Sequence, residues 1–398
     1  VLSVLTEFRA PPGAPRSLAY TKGQTNAVVK SLASRDGGVT LEPAVRIADA
    51  SVKTTSSTST IPSLAADPGS RHFGGRAYAV WADAPAGRSV IRLSYSADGG
   101  RTWSEPQTVN DDAPFADNPD APDDFLPAVA VNRDGVVGVT WYDRRESPDN
   151  LGWAVRFAAS FDGGETFTPS VRVSTGEMDQ ARDRWVLVGG NAFEPRGPGR
   201  PLRLYLTSPG FRFSGGHTAG LAAAADGTFH PVWVDNRTGV RQVWTASISA
   251  AGEVVPNGDA RLAGYEDVSD RLRVEITEAR YDQATGEGEA TARLRNTSAR
   301  EIVGPVVLRA VGLQTGTARE VRVTNADNRR EGAGAVWDFG GALPGGRLAA
   351  GALSGPKRLA FRLSGPLPLR DGDRFREFLL YLDVRALAPP AGDARAAP

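Results

Sequence analysis

The sequence predicts an all-β chain: about four visible four-stranded blades of a β-propeller, then a β-sandwich. Two motifs recur in phase along the first two thirds, and self-similarity of that kind is the signature of a repeat architecture. The composition agrees, with 45 Gly, 28 Pro, 15 Phe, 8 Trp and 8 Tyr in 398 residues, a mix that favours short strands and tight turns over long helices. After about residue 265 the repeat stops while strand-like runs continue. The expected organisation is a propeller part over 1–265, a sandwich over 266–385 and a disordered tail over 386–398.

The first motif is a Ser-x-Asp-x-Gly-x-Thr turn. Its copies are Ser34, Asp36, Gly38 and Thr40, then Ser96, Asp98, Gly100, Thr102 and Trp103, then Ser160, Asp162, Gly164, Thr166 and Phe167. An Asp at that place accepts hydrogen bonds from backbone N–H groups of its own turn. The glycines supply positive φ where the chain reverses. The hydroxyls tie the flanking strands, and Trp103 or Phe167 is expected to cover the hairpin base. This chemistry is structural.

The second motif ends a strand: Trp81-x-Asp83, Trp141-x-Asp143 and Trp233-x-Asp235, with Tyr20-Thr-Lys22 expected in the same place in the first repeat. A third run precedes each full copy: Ile61 to Ala66, Leu126 to Val131 and Ala219 to Ala224. Each repeat therefore reads strand A, turn, strand B ending in Trp-x-Asp, loop, strand C, Asp turn, strand D. Successive turns of an up-and-down sheet alternate between its two ends. The A–B turns should share one end with the Asp turns, and the B–C loops and entries to strand A should share the other. Residues 174–218 are long for a link and read as an inserted hairpin, with strands at Trp185 to Val188 and Leu202 to Thr207.

The Ser-x-Asp-x-Gly-x-Thr-Trp pattern resembles the Asp box, or BNR repeat, of sialidase-like proteins. The resemblance covers roughly residues 15–255 and implies a sialidase-type propeller, normally of six blades. Four visible blades, a first residue Val1 and a single methionine, Met178, lead to the expectation that part of the propeller lies upstream. The resemblance also puts the active face opposite the Asp boxes. There the Trp-x-Asp loops carry Tyr142, Asp143, Arg144, Arg145 and Glu146, and Asp235 and Arg237. In that family three arginines hold a substrate carboxylate and a Glu-activated Tyr is the nucleophile. By position, Tyr142 with Glu146 become catalytic candidates, and Arg144, Arg145, Arg237, Asp143, Asp235 and His217 substrate-binding ones. The competing reading is that Trp-x-Asp-x-Arg is a repeated brace, with Asp and Arg pairing between blades. Phe8-Arg9-Ala10-Pro11 is superficially like the family's arginine-bearing opening motif and is read as chance.

The acidic run containing Asp111, Asp112, Asp117, Asp120, Asp123 and Asp124 offers hard oxygen donors, so calcium is a candidate ligand at Asp120, Asp123 and Asp124. It lacks EF-hand spacing, and a solvated loop is the simpler expectation; no other cofactor is expected. With no Cys, disulfides and cysteine-based nucleophiles or metal sites are excluded, and only three His argue against a multi-histidine metal site. The 46 basic and 46 acidic residues cancel, which argues against nucleic acid as a partner. No run of about 18 apolar residues suggests a membrane-spanning helix, and no basic-then-apolar leader opens the chain, so any signal peptide is expected to have been removed or to lie upstream.

Beyond residue 265, Arg271 to Ala279, Ala290 to Asn296, Pro305 to Leu313, Arg319 to Thr324, Ala335 to Phe339, Lys357 to Leu363 and Phe375 to Val384 read as strands. Seven strands in that length suit an immunoglobulin-like sandwich. The functional expectation is a secreted or cell-surface bacterial protein of the sialidase-like class that acts on or binds glycans, an exo-glycosidase in the enzymatic version. The alternative is a non-catalytic carbohydrate- or protein-binding propeller with an attachment sandwich.

Overall fold

The computed structural model describes residues 1–9, 24–53, 61–85, 87–150, 152–176, 186–189, 204–207, 219–238, 242–282, 284–315, 318–366 and 380–391. The chain is nearly all β, with a few single-turn 3-10 segments in the C-terminal part. It forms two compact units. The first comprises Val1–Phe115, Pro119–Ala159 and Pro169–Ala250; the second comprises Ala116–Asn118, Ser160–Thr168 and Ala251–Pro398.

The first unit is a succession of antiparallel meanders. Strands β1 (Leu2–Phe8), β2 (Gln24–Ala33) and β3 (Val45–Lys53) make one sheet. Strands β4 (Ser63–Ala66), β5 (Ala77–Asp83), β6 (Val90–Ser96) and β7 (Gln107–Thr108) make the next. Strands β8 (Asp124–Val131), β9 (Val137–Asp143), β10 (Ala154–Ser160) and β11 (Val171–Arg172) follow in the same order. The hairpin β12 (Val186–Gly189) and β13 (Leu204–Thr207) is inserted before β14 (Gly220–Ala223), β15 (Phe229–Asp235) and β16 (Gln242–Thr245). The A-B-C-D order read from the sequence is the order observed in the second and third sheets. In the first sheet the strand preceding the Asp-turn strand is β1, whose Leu2 pairs with Ala33. Tyr20 to Lys22, expected to end that strand, lie outside the described residues.

Burial explains why these strands read as apolar runs. Every residue of β5, β8 and β9 is buried, as happens when both faces of a sheet are covered. Ala27 and Val29 of the first sheet share a core with Ala79 and Trp81 of the second. Phe125, Tyr142 and Trp153 of the third share one with Trp233 of the fourth. Gly138 is a glycine because an added Cβ would lie 2.7 Å from Phe229 and 2.8 Å from Phe157, whose ring centroids are 5.3 Å apart.

The three Asp turns have nearly the same geometry. Ser34 Oγ donates to Asp36 Oδ1 at 2.8 Å, and the Thr40 amide and hydroxyl donate to Asp36 at 2.9 and 2.6 Å. Ser96, Asp98 and Thr102 repeat these distances, as do Ser160, Asp162 and Thr166. The third residue, Gly38, Gly100 or Gly164, sits at a φ of 99°, 89° or 88° and donates its amide to the Ser hydroxyl. The weakest copy in sequence is thus as well formed as the others. The Trp103 indole N–H donates to Ser31 Oγ of β2, and its ring packs against the core that the first and second sheets share.

The A–B turns also touch in series. Asn132 Nδ2 donates to Gly227 O at 3.0 Å, and Arg133 Nη1 to Ala225 O at 2.8 Å. Gly135 abuts Ser70 of the preceding sheet's turn.

The second unit carries two four-stranded antiparallel sheets and a short pair. One sheet has the order β17 (Glu266–Asp267), β26 (Tyr381–Ala388), β21 (Val307–Gln314), β23 (Val336–Asp338). The other has the order β18 (Leu272–Asp282), β19 (Glu287–Asn296), β25 (Lys357–Pro366), β22 (Ala318–Val323), and β20 (Ile302–Val303) pairs with β24 (Arg347–Leu348). Leu308 and Trp337 from the first sheet and Leu294, Leu359 and Phe361 from the second belong to one core. Two sheets facing one core is the sandwich arrangement.

Two boundaries need correction. The continuous C-terminal part of the second unit starts at Ala251, and that unit also takes in 116–118 and the Asp turn at 160–168. The expected tail starts too early, because Leu387 and Ala388 pair with Val307, Asp267 and Glu266 and are 1% exposed. Three apolar residues following a strand are cheaper to bury against its neighbours than to leave in water.

Candidate functional site

The B–C end of the first unit is where charge concentrates, and local turn chemistry builds most of it. In Trp141-x-Asp143-x-Arg145 the indole N–H donates to Asp143 Oδ2 at 3.1 Å, and the Arg145 amide donates to Oδ1 at 2.9 Å. The Arg145 Nε folds back onto the same carboxylate at 2.9 Å. Trp233-x-Asp235-x-Arg237 repeats the corner, with Trp233 Nε1 to Asp235 at 3.0 Å and Arg237 Nε to Asp235 at 2.8 Å. Both carboxylates are buried. Charge-assisted bonds of this kind are short and directional, so each corner fixes an arginine two residues after its Asp. The Asp and Arg of each corner thus pair within one turn, whereas the brace reading expected them to pair between blades. The contacts extend to the next element through Arg145 Nη2, 2.8 Å from Asp111, and through Arg237 Nη1, which donates to Thr175. The Arg237 guanidinium also stacks 4.1 Å over Trp244.

The catalytic candidates are not brought together. Tyr142 is 1% exposed, its ring lies against Phe125 and Trp153, and its hydroxyl accepts from the Val234 amide at 2.9 Å. Burial, partly offset by that bond, pushes its pKa up to about 12, the wrong direction for a nucleophile. The seam it faces, lined by Leu126, Val155, Pro231 and Trp233, has no room for a water molecule. Glu146 is on the surface, paired with Arg156 at 3.2 Å and with Arg172. Alternation along β9 sends Tyr142 to the opposite face from Trp141, and that face is covered by the fourth sheet. Arg144, read as a carboxylate clamp, is buried under Phe125 and Trp153, gives Nη1 to Asn150 O at 2.7 Å, and is lowered to about 10 by burial. His217 lies outside the described residues.

The acidic run also divides. Asp123 is held by Lys53 at 2.9 Å, by the Ser89 amide at 3.0 Å and by Asn150 at 2.8 Å. Asp120 stands against Gly87. Asp124 alone of the three calcium candidates enters a carboxylate cluster, and its partners are Asp112 and Asp143, with one oxygen of each within 4.8 Å of the others. Arg88 pairs with Asp112, Arg145 pairs with Asp143 and Asp111, and Ser170 donates to Asp111 twice. Asp124 is 0% exposed, and among the described residues no N–H or hydroxyl donor reaches either of its oxygens, which lie against the Asp112 carboxyl. Burial first, then the charges of Asp112 and Asp143, push its carboxyl well above the usual carboxylate range. It opens β8 next to a bulge at which Leu126 takes a φ of 48°. Bulges and left-handed non-glycine residues are enriched beside functional sites.

Asp112 was legible only as a member of the acidic run. Nothing in the spacing of residues 88, 112, 124 and 143 signals that they meet.

No protein-family model matches the sequence, and no curated protein matches it. Solved structures do overlap with it. The Penicillium chrysogenum α-L-arabinanase complexed with arabinobiose is 15% identical, with a TM-score of 0.32, over 68% of this chain and 74% of that one. The GH93 α-L-arabinofuranosidase of Fusarium graminearum with arabinobiose is 11% identical, with a TM-score of 0.27, over 68% and 84%. The sucrose-6-phosphate hydrolase from Lactobacillus gasseri is 12% identical, with a TM-score of 0.24, over 92% and 76%. The overlaps are partial, and identity is low throughout. No helix among the described residues is long and apolar enough to cross a membrane.

Proposed function

We propose that the chain is a secreted or cell-surface glycan-binding protein, built from a sialidase-type Asp-box propeller and an immunoglobulin-like sandwich. The observation that carries this reading is the B–C end of the first unit. Arg88, Arg145 and Asp111 form a polar rim with side chains 15%, 21% and 36% exposed over a buried carboxylate cluster. Fixed donors and acceptors side by side suit the hydroxyls of a sugar, which both donate and accept.

Binding is favoured over sialidase chemistry for two reasons. Tyr142 is sealed in a core, and the candidate clamps Arg145 and Arg237 already hold carboxylates of the protein. A sialic acid carboxylate would have to displace them. A neutral oligosaccharide bound along the rim needs no such exchange.

The test is a glycan array alongside a fluorogenic glycoside panel, both with the full chain. The expected result is binding to neutral glycans, weakened by Arg88→Ala, with no sialoside turnover. Sialoside hydrolysis that disappears in Tyr142→Phe would overturn the reading.

A further inference from the structure

The carboxylate cluster at the start of β8 is a cation site by its own geometry. Asp124 is fully buried, no N–H or hydroxyl donor among the described residues reaches either of its oxygens, and its near neighbours are other carboxyls, with oxygens of Asp112 and Asp143 within 4.8 Å. A buried carboxylate left without a partner is costly enough that native folds avoid it.

Charge counting gives the class of partner. Asp111, Asp112, Asp124 and Asp143 face two arginines, Arg88 and Arg145. Counting the nearby Lys53 and Arg144 together with Asp123 and Asp149, whose charges act on them, adds two charges of each sign and leaves the balance unchanged. Four carboxylates against two guanidiniums leave two negative charges. One proton on Asp124 would offset half of that, whereas a divalent cation offsets all of it. The donors are all hard oxygens, without His or Cys, which selects calcium over zinc or copper. Calcium binds oxygens at about 2.3–2.6 Å, so ligand oxygens on opposite sides of it stand roughly 4.6–5.2 Å apart and adjacent ones closer. The spacing here fits that range.

We infer that Asp112, Asp124 and Asp143 bind one calcium ion, with Arg88 and Arg145 as flanking countercharges and water completing the shell. The inference does not rest on glycan binding, so either can fail without the other.

Trp141 offers the readout, because its indole N–H donates to Asp143. A terbium ion bound in place of calcium would sit next to an indole and emit by energy transfer from it. The experiment uses the full chain freed of metal with a chelator, titrated with terbium and then competed with calcium. The expected result is saturable emission at one site, reversed by calcium, and a rise in Tm of about 5–10 °C at a hundredfold excess of calcium over its Kd. Asp124→Asn should weaken calcium binding at least tenfold; Asp112→Asn gives the same reading if Asp124→Asn does not fold. Absence of both sensitised emission and a calcium-dependent Tm shift in the unaltered chain overturns the inference. So does calcium binding by a folded Asp124→Asn or Asp112→Asn protein that equals the original.

Discussion

Arg309 offers a demanding test of the fold, because its side chain is 1% exposed and faces two carboxylates. It sits in β21 of the second unit, cross-strand from Arg385. Its Nη2 donates to Asp162 and its Nη1 to Glu165 at 2.6 Å, and those acids are 3% and 8% exposed. Removing one partner of a buried pair costs about 3–5 kcal/mol, because the other charge is left behind. The structure points to the lower end. Asp162 keeps four donors from its own turn, the Ser160 hydroxyl, the Glu165 amide, and the Thr166 amide and hydroxyl. Glu165 keeps Arg385 at 3.3 Å. Arg309→Met should therefore destabilise the second unit by about 3 kcal/mol, a fall in Tm of roughly 6–12 °C for a unit of this size. Combining it with Glu165→Met should recover much of the loss, since an apolar pair of similar volume replaces a buried ionic one at little net cost. Urea unfolding of the full chain, followed by near-UV circular dichroism, measures both. A single variant within about 0.5 kcal/mol of the original, the range of ordinary surface changes, would refute the reasoning. So would a double variant worse than the single.

Three further outcomes are expected. Tyr142→Phe should cost about 1–3 kcal/mol by leaving the Val234 amide without an acceptor, while any glycan binding persists; chemical denaturation and array binding on one sample check both. Gly138→Ala should destabilise by about 1–3 kcal/mol through overpacking of Phe157 and Phe229, seen as a lower urea midpoint, and an unchanged midpoint would contradict the contact. The Asp98 carboxyl is held well below its ordinary range, first by the Thr102 hydroxyl and then by the Thr102 amide. A depressed folded-state value means that its contribution is present above the unfolded pKa of about 3.9. It is lost as the pH falls through the lower folded value. Thr102→Val should therefore raise the Asp98 pKa in a carbon-detected carboxyl titration, and acid unfolding should begin at a higher pH.

The parts legible in the sequence are those made by neighbours along the chain. Each Asp turn closes on bonds between residues two to four positions apart, and each Trp-x-Asp-x-Arg corner on bonds two apart. Connectivity alone brings those groups within reach, so a residue pattern is enough to fix the chemistry. The apolar runs of β5, β8 and β9 and the inserted hairpin were readable for the same reason. What the sequence left open lies between residues distant along it. Arg309 reaches Asp162 across 147 positions, and Asp112, Asp124 and Asp143 come from a loop and two different strands. Which face of β9 is covered turned Tyr142 from a catalytic candidate into a core residue, and it drew Asp124 away from Asp120 and Asp123. The sequence determined the repeated turns and their donors and acceptors. Only the packing of one sheet on the next decided which charges are desolvated together, because burial is a property of neighbours in space that no local spacing records.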